Sequence, residues 1–549
     1  MGCGASTPGH PPEGAAASST SPYAVPISEP VSSPAAVDTK RKSSEVQQIE
    51  KGTSWSDEVF DTKRIGLVIV VLGASGDLAK KKSFPSLHAL FANKLLPNKV
   101  HIFGYARSDM SDEKLRDRIK PMLKGEAIDE FLQCVTYVRG KYDAPEDFSA
   151  LNELMQRKET EFDCARHGRL FYLALPPSVY PEVCTNLKVC ADESPVRWSR
   201  LVVEKPFGKD LASSEELANT LGALYPESQL YRIDHYLGKE IVQNMPILRF
   251  GNMGFMAMWS AEYISNIQIT FKEPFGTEGR GGYFDEFGIV RDVIQNHLLQ
   301  VLAVVAMEPP RSNKAEDIRD QKVKVLNCID KVRAADCVLG QYVGANGKPG
   351  YLEDSTVPAG SVCPTFASIV FRINNDRWKG VPFILKAGKA LDERKCEVRI
   401  QFKEASGHMF DTKMARNELV LRIQPDEGMW WKVNMKEPGM SSKMVITELD
   451  MTYHQRYEGL RMPDAYERLI LDAVKGDQQY FVRRDELRAA WACVDDLLHE
   501  IDAGKVNLVK YPYGGRGPPG ADALAKAEGF VRSEGYKYKK ATARQTCHI

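Results

Sequence analysis

Three short stretches carry residue types that could do chemistry together. "YRIDHYLGKE" (231–240) sets Asp234, His235, Tyr236 and Lys239 against the apolar run "IVQNMPILRF". "RDVIQNH" holds Asp292 and His297, and "RLVVEKPFG" ends on Lys205-Pro206. An imidazole oriented by a buried acid is a general base poised near neutral pH. Asp292 and His297 are five residues apart, a rotation of about 140° on an α-helix. No dyad between those two is expected, and Asp234 is the acid proposed to orient His297. Leu237-Gly238-Lys239 leads into a helix, whose entrance with His235, Tyr236 and Lys239 would receive a phosphate dianion.

"GASGDLA" (73–79) follows an apolar run and precedes residues of helical spacing. In that position Gly73 and Gly76 let the backbone approach a pyrophosphate, with the helix amides facing it. Ser75 stands where a middle glycine is usual, so the fingerprint is incomplete. The next strand ends at "GYARS". Arg107 there suits a ribose 2′-phosphate, which favours NADP over NAD. Asp109 lies close by, so NAD stays open from the residues alone. Lys80 to Lys82 add positive charge, and a solvated face accounts for at least two of them.

These residues need strands to hold them. Ile65–Leu72 is a short β-branched run and predicts a buried strand. "VHIFGYARS", "RLFYLALPP" and "RLVVEKPFG" predict further strands, alternating with amphipathic segments such as "SSEELANTLGALY". That alternation is the pattern of a doubly wound, Rossmann-like parallel sheet over 61–234. Lys205 then sits beyond a strand's carboxyl end, where such sheets bind ligands. From 235 to 549, "NIQITFKE", "ASIVFRI", "CEVRIQF" and "ELVLRIQP" alternate with period two, so a larger α+β domain with a mainly antiparallel sheet is expected. "GYFDEFGIVRDVIQNHLLQVLAVVAM" reads as one long apolar helix.

Residues 1–60 are rich in Ser, Pro, Ala and Gly and predict a disordered tail. Its start, "MGCGAST", matches the pattern for myristoylation at Gly2, and Cys3 could take a palmitate. Two acyl chains would anchor stably to a membrane surface where one would not. Basic and acidic residues balance at 73 each, so no global field steers the chain to nucleic acid. The eleven cysteines lack C-x-x-C pairs and the ten histidines lack H-x-x-x-H spacing. Reduced thiols in the cytoplasm and no metal site are expected.

"GASGDLAKKK", "GYARS", "FYLALPP", "VVEKPFG", "RIDHYLGKE", "FKEPFGTEGRGGYFDEFGIVRDVIQNHLLQ" and "GVPFILKAGKALDERK" together resemble the glucose-6-phosphate dehydrogenases. The resemblance covers nearly everything after residue 60. It implies oxidation of D-glucose 6-phosphate at C1 with NADP⁺, in a homo-oligomer. It implies His297 as base and Asp234 as its orienting acid. His235, Tyr236 and Lys239 would hold the phosphate. Lys205, Glu273, Asp292, Lys389, Arg394 and Gln424 would surround the sugar. Gly73, Ala74, Ser75, Gly76, Asp77, Leu78, Lys80, Arg107, Tyr180 and Lys205 would bind the coenzyme.

The resemblance also implies a second, structural NADP⁺ site at Lys386, Lys395, Arg399, Arg422, Trp430, Lys432, Asp450, Arg516 and Tyr538. Four positions depart from the family form there: Lys386 stands for an arginine, Trp430 and Arg532 for tyrosines, and Tyr538 for a tryptophan. Two other readings compete: a dehydrogenase for another hexose phosphate or free hexose, and a catalytically silent NADP-binding subunit. Lys239 and His235 argue against free hexose. The presence of both His297 and Asp234 argues against silence.

Overall fold

The computed structural model describes residues 64–191, 193–405 and 414–533, with 536 and 538. Gly2, Cys3 and the expected tail over 1–60 lie outside the described residues. Six strands alternate with helices in the first part: β1 (Ile65–Leu72), β2 (Lys99–Ala106), β3 (Val135–Arg139), β4 (Arg166–Leu173), β5 (Arg197–Val203) and β6 (Leu230–Ile233). All six run parallel in the order β6-β5-β4-β1-β2-β3. This is the doubly wound order, with its switch point beside β1. Leu67 to Leu72 are fully buried, because helices cover both faces and leave no polar side to alternate with.

The second sheet contains β7 (Ile264–Lys272), β8 (Cys337–Val343), β9 (Phe366–Arg372), β10 (Pro382–Gly388), β11 (Lys395–Phe402), β12 (Glu418–Gln424), β13 (Gly428–Lys436) and β14 (Met444–Thr452). The two-residue β15 (Phe481–Val482) follows, and then β16 (Leu508–Pro512). The order is β14-β13-β12-β11-β7-β10-β9-β8-β16, antiparallel except at β7–β10 and β8–β16. β15 does not join it. It pairs antiparallel with β6 at the edge of the first sheet. The helix Ala465–Lys475 comes back with it, burying Leu469, Ile470, Ala473 and Val474 among first-sheet residues such as Val202 and Ile233. So residues 465–482, far beyond position 234 in sequence, belong physically to the first sheet.

The single helix expected over 282–307 is instead three pieces: an α-helical turn Gly281–Asp285, a π-helical stretch Val290–Leu298, and an α-helix Leu299–Ala306. The π register overturns the expectation that Asp292 and His297 lie on different faces.

Candidate active site

Two sheet ends meet at the site. β5 and β6 are parallel neighbours, so the residues after them, Lys205 and Asp234, emerge side by side. On the second sheet, Gly388 of β10 lies opposite Lys272 of β7 in a parallel pair. The next residues, Lys389 and Glu273, therefore leave together, and Lys389 Nζ donates to Glu273 Oε2 at 2.6 Å. β11 begins beside the end of β12, with Cys396 opposite Gln424, which brings Arg394 and Gln424 to the same edge. Gln424 Nε2 donates to the Tyr236 hydroxyl at 3.0 Å and ties the two ends together.

Between them runs the π-helical stretch. Asp292 and His297 share one face, contrary to the sequence expectation. The reason is the helical register: a π-helix closes i to i+5, so residues five apart are offset by much less than the about 140° of an α-helix. Lys205 Nζ joins the pair. It stands 3.0 Å from Asp292 Oδ1, 3.3 Å from the Asp292 carbonyl and 3.0 Å from His297 Nε2. On the other ring edge, His297 Nδ1 meets Asp234 Oδ1 at 2.5 Å. Asp234 also accepts from the Tyr236 amide at 2.9 Å. The acid that His297 bonds is thus Asp234, as expected, while Asp292 shares the same lysine.

Burial and charge set the protonation states. Burial pulls the His297 pKa down and the Asp234 carboxylate opposes this, leaving it net low. Such an imidazole is neutral at pH 7 and free to accept a proton. Burial also penalises the Lys205 ammonium, but Asp292 outweighs it and the net shift is upward. Asp292 responds in kind: burial raises it, Lys205 lowers it, and it ends low. His235 is pushed well below its ordinary value by burial, then by His297, Lys205, Lys239 and Lys82. It is a neutral hydrogen-bond donor, not a cation.

Among the described residues, Asp234, His235 and His297 alone have metal-ligand spacing, with ligand atoms within 4.8 Å. His297 Nε2 already faces the Lys205 ammonium.

The cavity in front of these groups measures about 320 Å³. Lys205, His235, Tyr236, Lys239, Glu273, Asp292, His297, Lys389, Arg394 and Gln424 all line it. So do three polar residues that the sequence did not place there: Lys82, Asp464 and Tyr466. They come from the helix after the nucleotide turn and from the segment that returns to the first sheet. Gly238 makes that return possible, since a Cβ there would lie 2.6 Å from the Ala465 carbonyl. Tyr466 stacks on His235 with ring centroids 5.9 Å apart, and Lys82 Nζ donates to Asp464 at 3.3 Å.

The lining carries five lysine or arginine cations against three carboxylates, a surplus of two positive charges. Lys82, Lys205 and Lys389 each have a carboxylate partner. Lys239 and Arg394 have none among the described residues. A phosphate monoester carries about −1.5 to −2 at neutral pH, so the surplus matches one.

The turn after β1 is tight and backbone-lined. Gly73 has φ +81°, and a Cβ on it would lie 2.3 Å from the Ala174 carbonyl. Ala74 is buried, Ser75 Oγ accepts from Ser108 Oγ at 3.0 Å, and Asp77 pairs with Lys81 at 2.8 Å. Leu78 and Lys80 open the helix, with the Lys80 amide on the Gly76 carbonyl. Arg107 is exposed at the end of β2, over the Tyr142 ring. Asp109 turns to Arg139 at 3.1 Å. Tyr180 is fully buried and donates to the Glu204 carbonyl at 3.0 Å, so it lies behind Lys205 and away from any open surface. A second, mostly apolar cavity of about 710 Å³ reaches Lys205 from the other side, between Leu175, Pro176, Pro206, Tyr283 and Phe287. Lys205 is shared by both cavities.

A third cavity of about 740 Å³ lies on the second sheet. It gathers Lys386, Lys395, Arg399, Arg422, Trp430, Lys432, Arg516, Arg532 and Tyr538. Eight cations face five carboxylates there. Glu397 is held near pKa 2: burial pushes it up, but Arg399, Lys395 and Arg422 overcome that. Tyr538 stacks on Trp430 at 4.2 Å and donates to Asp450 at 3.2 Å.

Comparison with known proteins agrees with this geometry. Residues 70–244 match the family described as "Glucose-6-phosphate dehydrogenase, NAD binding domain", and residues 246–538 match its "C-terminal domain". The chain is 53% identical to the "Glucose-6-phosphate 1-dehydrogenase 6, cytoplasmic" of Arabidopsis thaliana, over 89% of this chain and 97% of that protein. It is 52% identical to a glucose-6-phosphate 1-dehydrogenase of Dictyostelium discoideum, over 86% and 96%. A solved "Glucose-6-phosphate dehydrogenase in complex with its substrate glucose-6-phosphate" superposes with a TM-score of 0.82 at 46% identity, covering 86% of this chain and 99% of that one. The chain belongs to the glucose-6-phosphate dehydrogenase family.

Proposed function

We propose that this family member oxidises C1 of D-glucose 6-phosphate to 6-phospho-D-glucono-1,5-lactone, the first step of the oxidative pentose phosphate pathway, with NADP⁺ as coenzyme. The observation that carries the reading is the line Asp234–His297–Lys205–Asp292 at the wall of a cavity with a surplus of two positive charges.

In this reading His297 Nε2 takes the proton of the C1 hydroxyl. Asp234 fixes the tautomer, because its carboxylate accepts from Nδ1–H and leaves Nε2 the lone pair. It also stabilises the imidazolium that forms. Lys205 must swing off Nε2 to admit the hydroxyl, and its retained bond to Asp292 keeps it at hand to orient the sugar. The phosphate goes to the unpaired Lys239 and Arg394, with His235 and Tyr236 donating. Glu273, Asp292 and Gln424 offer acceptors and donors to the sugar hydroxyls. Bound NADP⁺ supplies the hydride acceptor. The Gly73 cradle, whose close approach to Ala174 leaves no room for a side chain, fits a pyrophosphate. Arg107 fits the 2′-phosphate, and the engagement of Asp109 by Arg139 favours NADP over NAD.

The second-sheet cavity is read as a structural NADP⁺ site. Its surplus of three positive charges suits a pyrophosphate and a 2′-phosphate. Trp430 and Tyr538 leave no gap between them, so a nicotinamide would stack on an outer ring face. Met444 and Leu449 on the edge strand β14, and Met435 on its neighbour β13, are exposed, and we read that edge as the place where a second copy packs. We place the chain in the cytoplasm, as the names of its plant relatives say of them, with acylation at Gly2 and Cys3 as an added membrane address. No helix among the described residues is long and apolar enough to cross a membrane.

The test is a coenzyme-reduction assay with glucose 6-phosphate, glucose and other hexose phosphates, each with NADP⁺ and NAD⁺. Rapid reduction only with glucose 6-phosphate and NADP⁺ is expected. Equal rates with glucose would overturn the phosphate assignment.

A further inference from the structure

We propose that Arg118 is a second guanidinium for the ribose 2′-phosphate of NADP⁺, fixing the Ser75 carbonyl with one nitrogen and offering another to the phosphate. The proposal rests on the coenzyme reading above and adds a specificity residue to it.

The adenosine ribose lies at the carboxyl end of the second strand in folds of this kind. Three observations put Arg118 at that spot. First, Ser108 Oγ donates to Ser75 Oγ at 3.0 Å, clamping the nucleotide turn to the end of β2. The Tyr137 hydroxyl holds the Ser108 carbonyl at 2.5 Å from behind. Second, the helix Asp112–Ile119 begins four residues after Ser108, with Ser111 capping the Lys114 amide. It buries Leu115 and Ile119 on the sheet, so Arg118 rides at the rim of that face. Third, Arg118 Nη2 donates to the Ser75 carbonyl at 2.8 Å. Its Nε is buried and without a partner, and no hydrogen bond reaches Nη1 among the described residues.

A guanidinium needs only one N–H to hold Ser75, and its fork favours bidentate pairing with a phosphate. The acid groups nearby are already engaged: Asp77 by Lys81 at 2.8 Å and Asp109 by Arg139 at 3.1 Å. Asp77 is held low chiefly by Lys81, with Arg118 also contributing, so the Arg118 charge reaches the turn. Arg107 and Arg118 thus bracket the Ser75–Ser108 contact with two positive charges that NAD⁺ has no use for.

The experiment titrates the full-length protein by calorimetry with adenosine 2′,5′-bisphosphate and with AMP, and measures KM for NADP⁺ and NAD⁺. Arg118→Met should weaken the bisphosphate about tenfold or more, the scale of a charge-assisted hydrogen bond, and leave AMP within about twofold. Arg118→Gln can still donate to the Ser75 carbonyl; it should lose the same discrimination. Arg118→Lys should recover part of it. If Arg118→Met weakens both nucleotides alike, or if Gln restores discrimination fully, Arg118 only braces the turn and the proposal fails. No change with either ligand makes it a solvated arginine, and the proposal fails too. Arg107→Ala is run in parallel: if it discriminates and Arg118 does not, only this inference falls; if neither does, the coenzyme reading falls with it. Should Arg118→Met not fold, the Gln and Lys variants decide.

Discussion

Replacing Asp234 by Asn removes a charge and little volume. Asp234 is 0% exposed and His297 3%, so solvent does not screen the pair. A unit pair about 4 Å apart gains about 4 kcal/mol at an effective dielectric constant of about 20. Asn retains a neutral hydrogen bond to Nδ1, so not all of this is lost, and the charge-assisted part is worth about 1.5–3 kcal/mol. The barrier should rise by about 2–4 kcal/mol, which lowers kcat by about thirtyfold to a thousandfold. Asp234 does not line the cavity, so KM for glucose 6-phosphate should stay within about threefold. The pH profile gives an independent check. Burial depresses the His297 pKa and the Asp234 carboxylate partly restores it. Removing that carboxylate should lower it further and move the acid limb of kcat/KM to lower pH. Steady-state rates across the pH range measure both quantities. A variant that keeps kcat within about threefold, or whose acid limb moves upward, refutes the role given to Asp234.

Lys239→Ala should raise KM for glucose 6-phosphate by about tenfold to a hundredfold and narrow the preference over glucose; unchanged preference would place the phosphate elsewhere. Asp472, near the carboxyl end of the helix Ala465–Lys475, is half-buried, but its Oδ2 is enclosed and unpartnered, and desolvation lifts its pKa to about 7. Its contribution to stability is fully present below about pH 4 and lost as pH rises through about 7. Asp472→Asn should therefore raise Tm at pH 8 and hardly at pH 4; a gain that does not grow with pH contradicts this. Added NADP⁺ should raise the Tm of the wild type by mass action, and Arg516→Ala, at an exposed position of the second-sheet cavity, should blunt that rise without changing KM for NADP⁺.

What the sequence made legible follows from local physics. β1 could be bounded at Ile65–Leu72 because a strand buried on both faces writes a continuous apolar run. Arg107 and Lys205 could be placed because strand ends are where such sheets hold ligands. The π stretch was not legible, since nothing in "RDVIQNH" distinguishes a register of i+5 from i+4. That one difference put Asp292 and His297 on a common face. Lys82, Asp464 and Tyr466 meet only because a two-residue strand returns to β6 from position 481, a signal too short to read. Glu273 and Lys389 depended on the family resemblance, because their pairing needs the β7–β10 register, which links residues more than a hundred positions apart.

The claim that the others depend on is that His297 removes the C1 hydroxyl proton. The direct measurement is kcat and KM of His297→Asn with glucose 6-phosphate and NADP⁺. A positioned general base contributes about a hundredfold to ten-thousandfold; here it should also lose the partner that orients Lys205. The account predicts a fall in kcat of at least a hundredfold, with KM within about threefold. A variant keeping more than about a tenth of the wild-type turnover, a barrier change under about 1.4 kcal/mol, contradicts it.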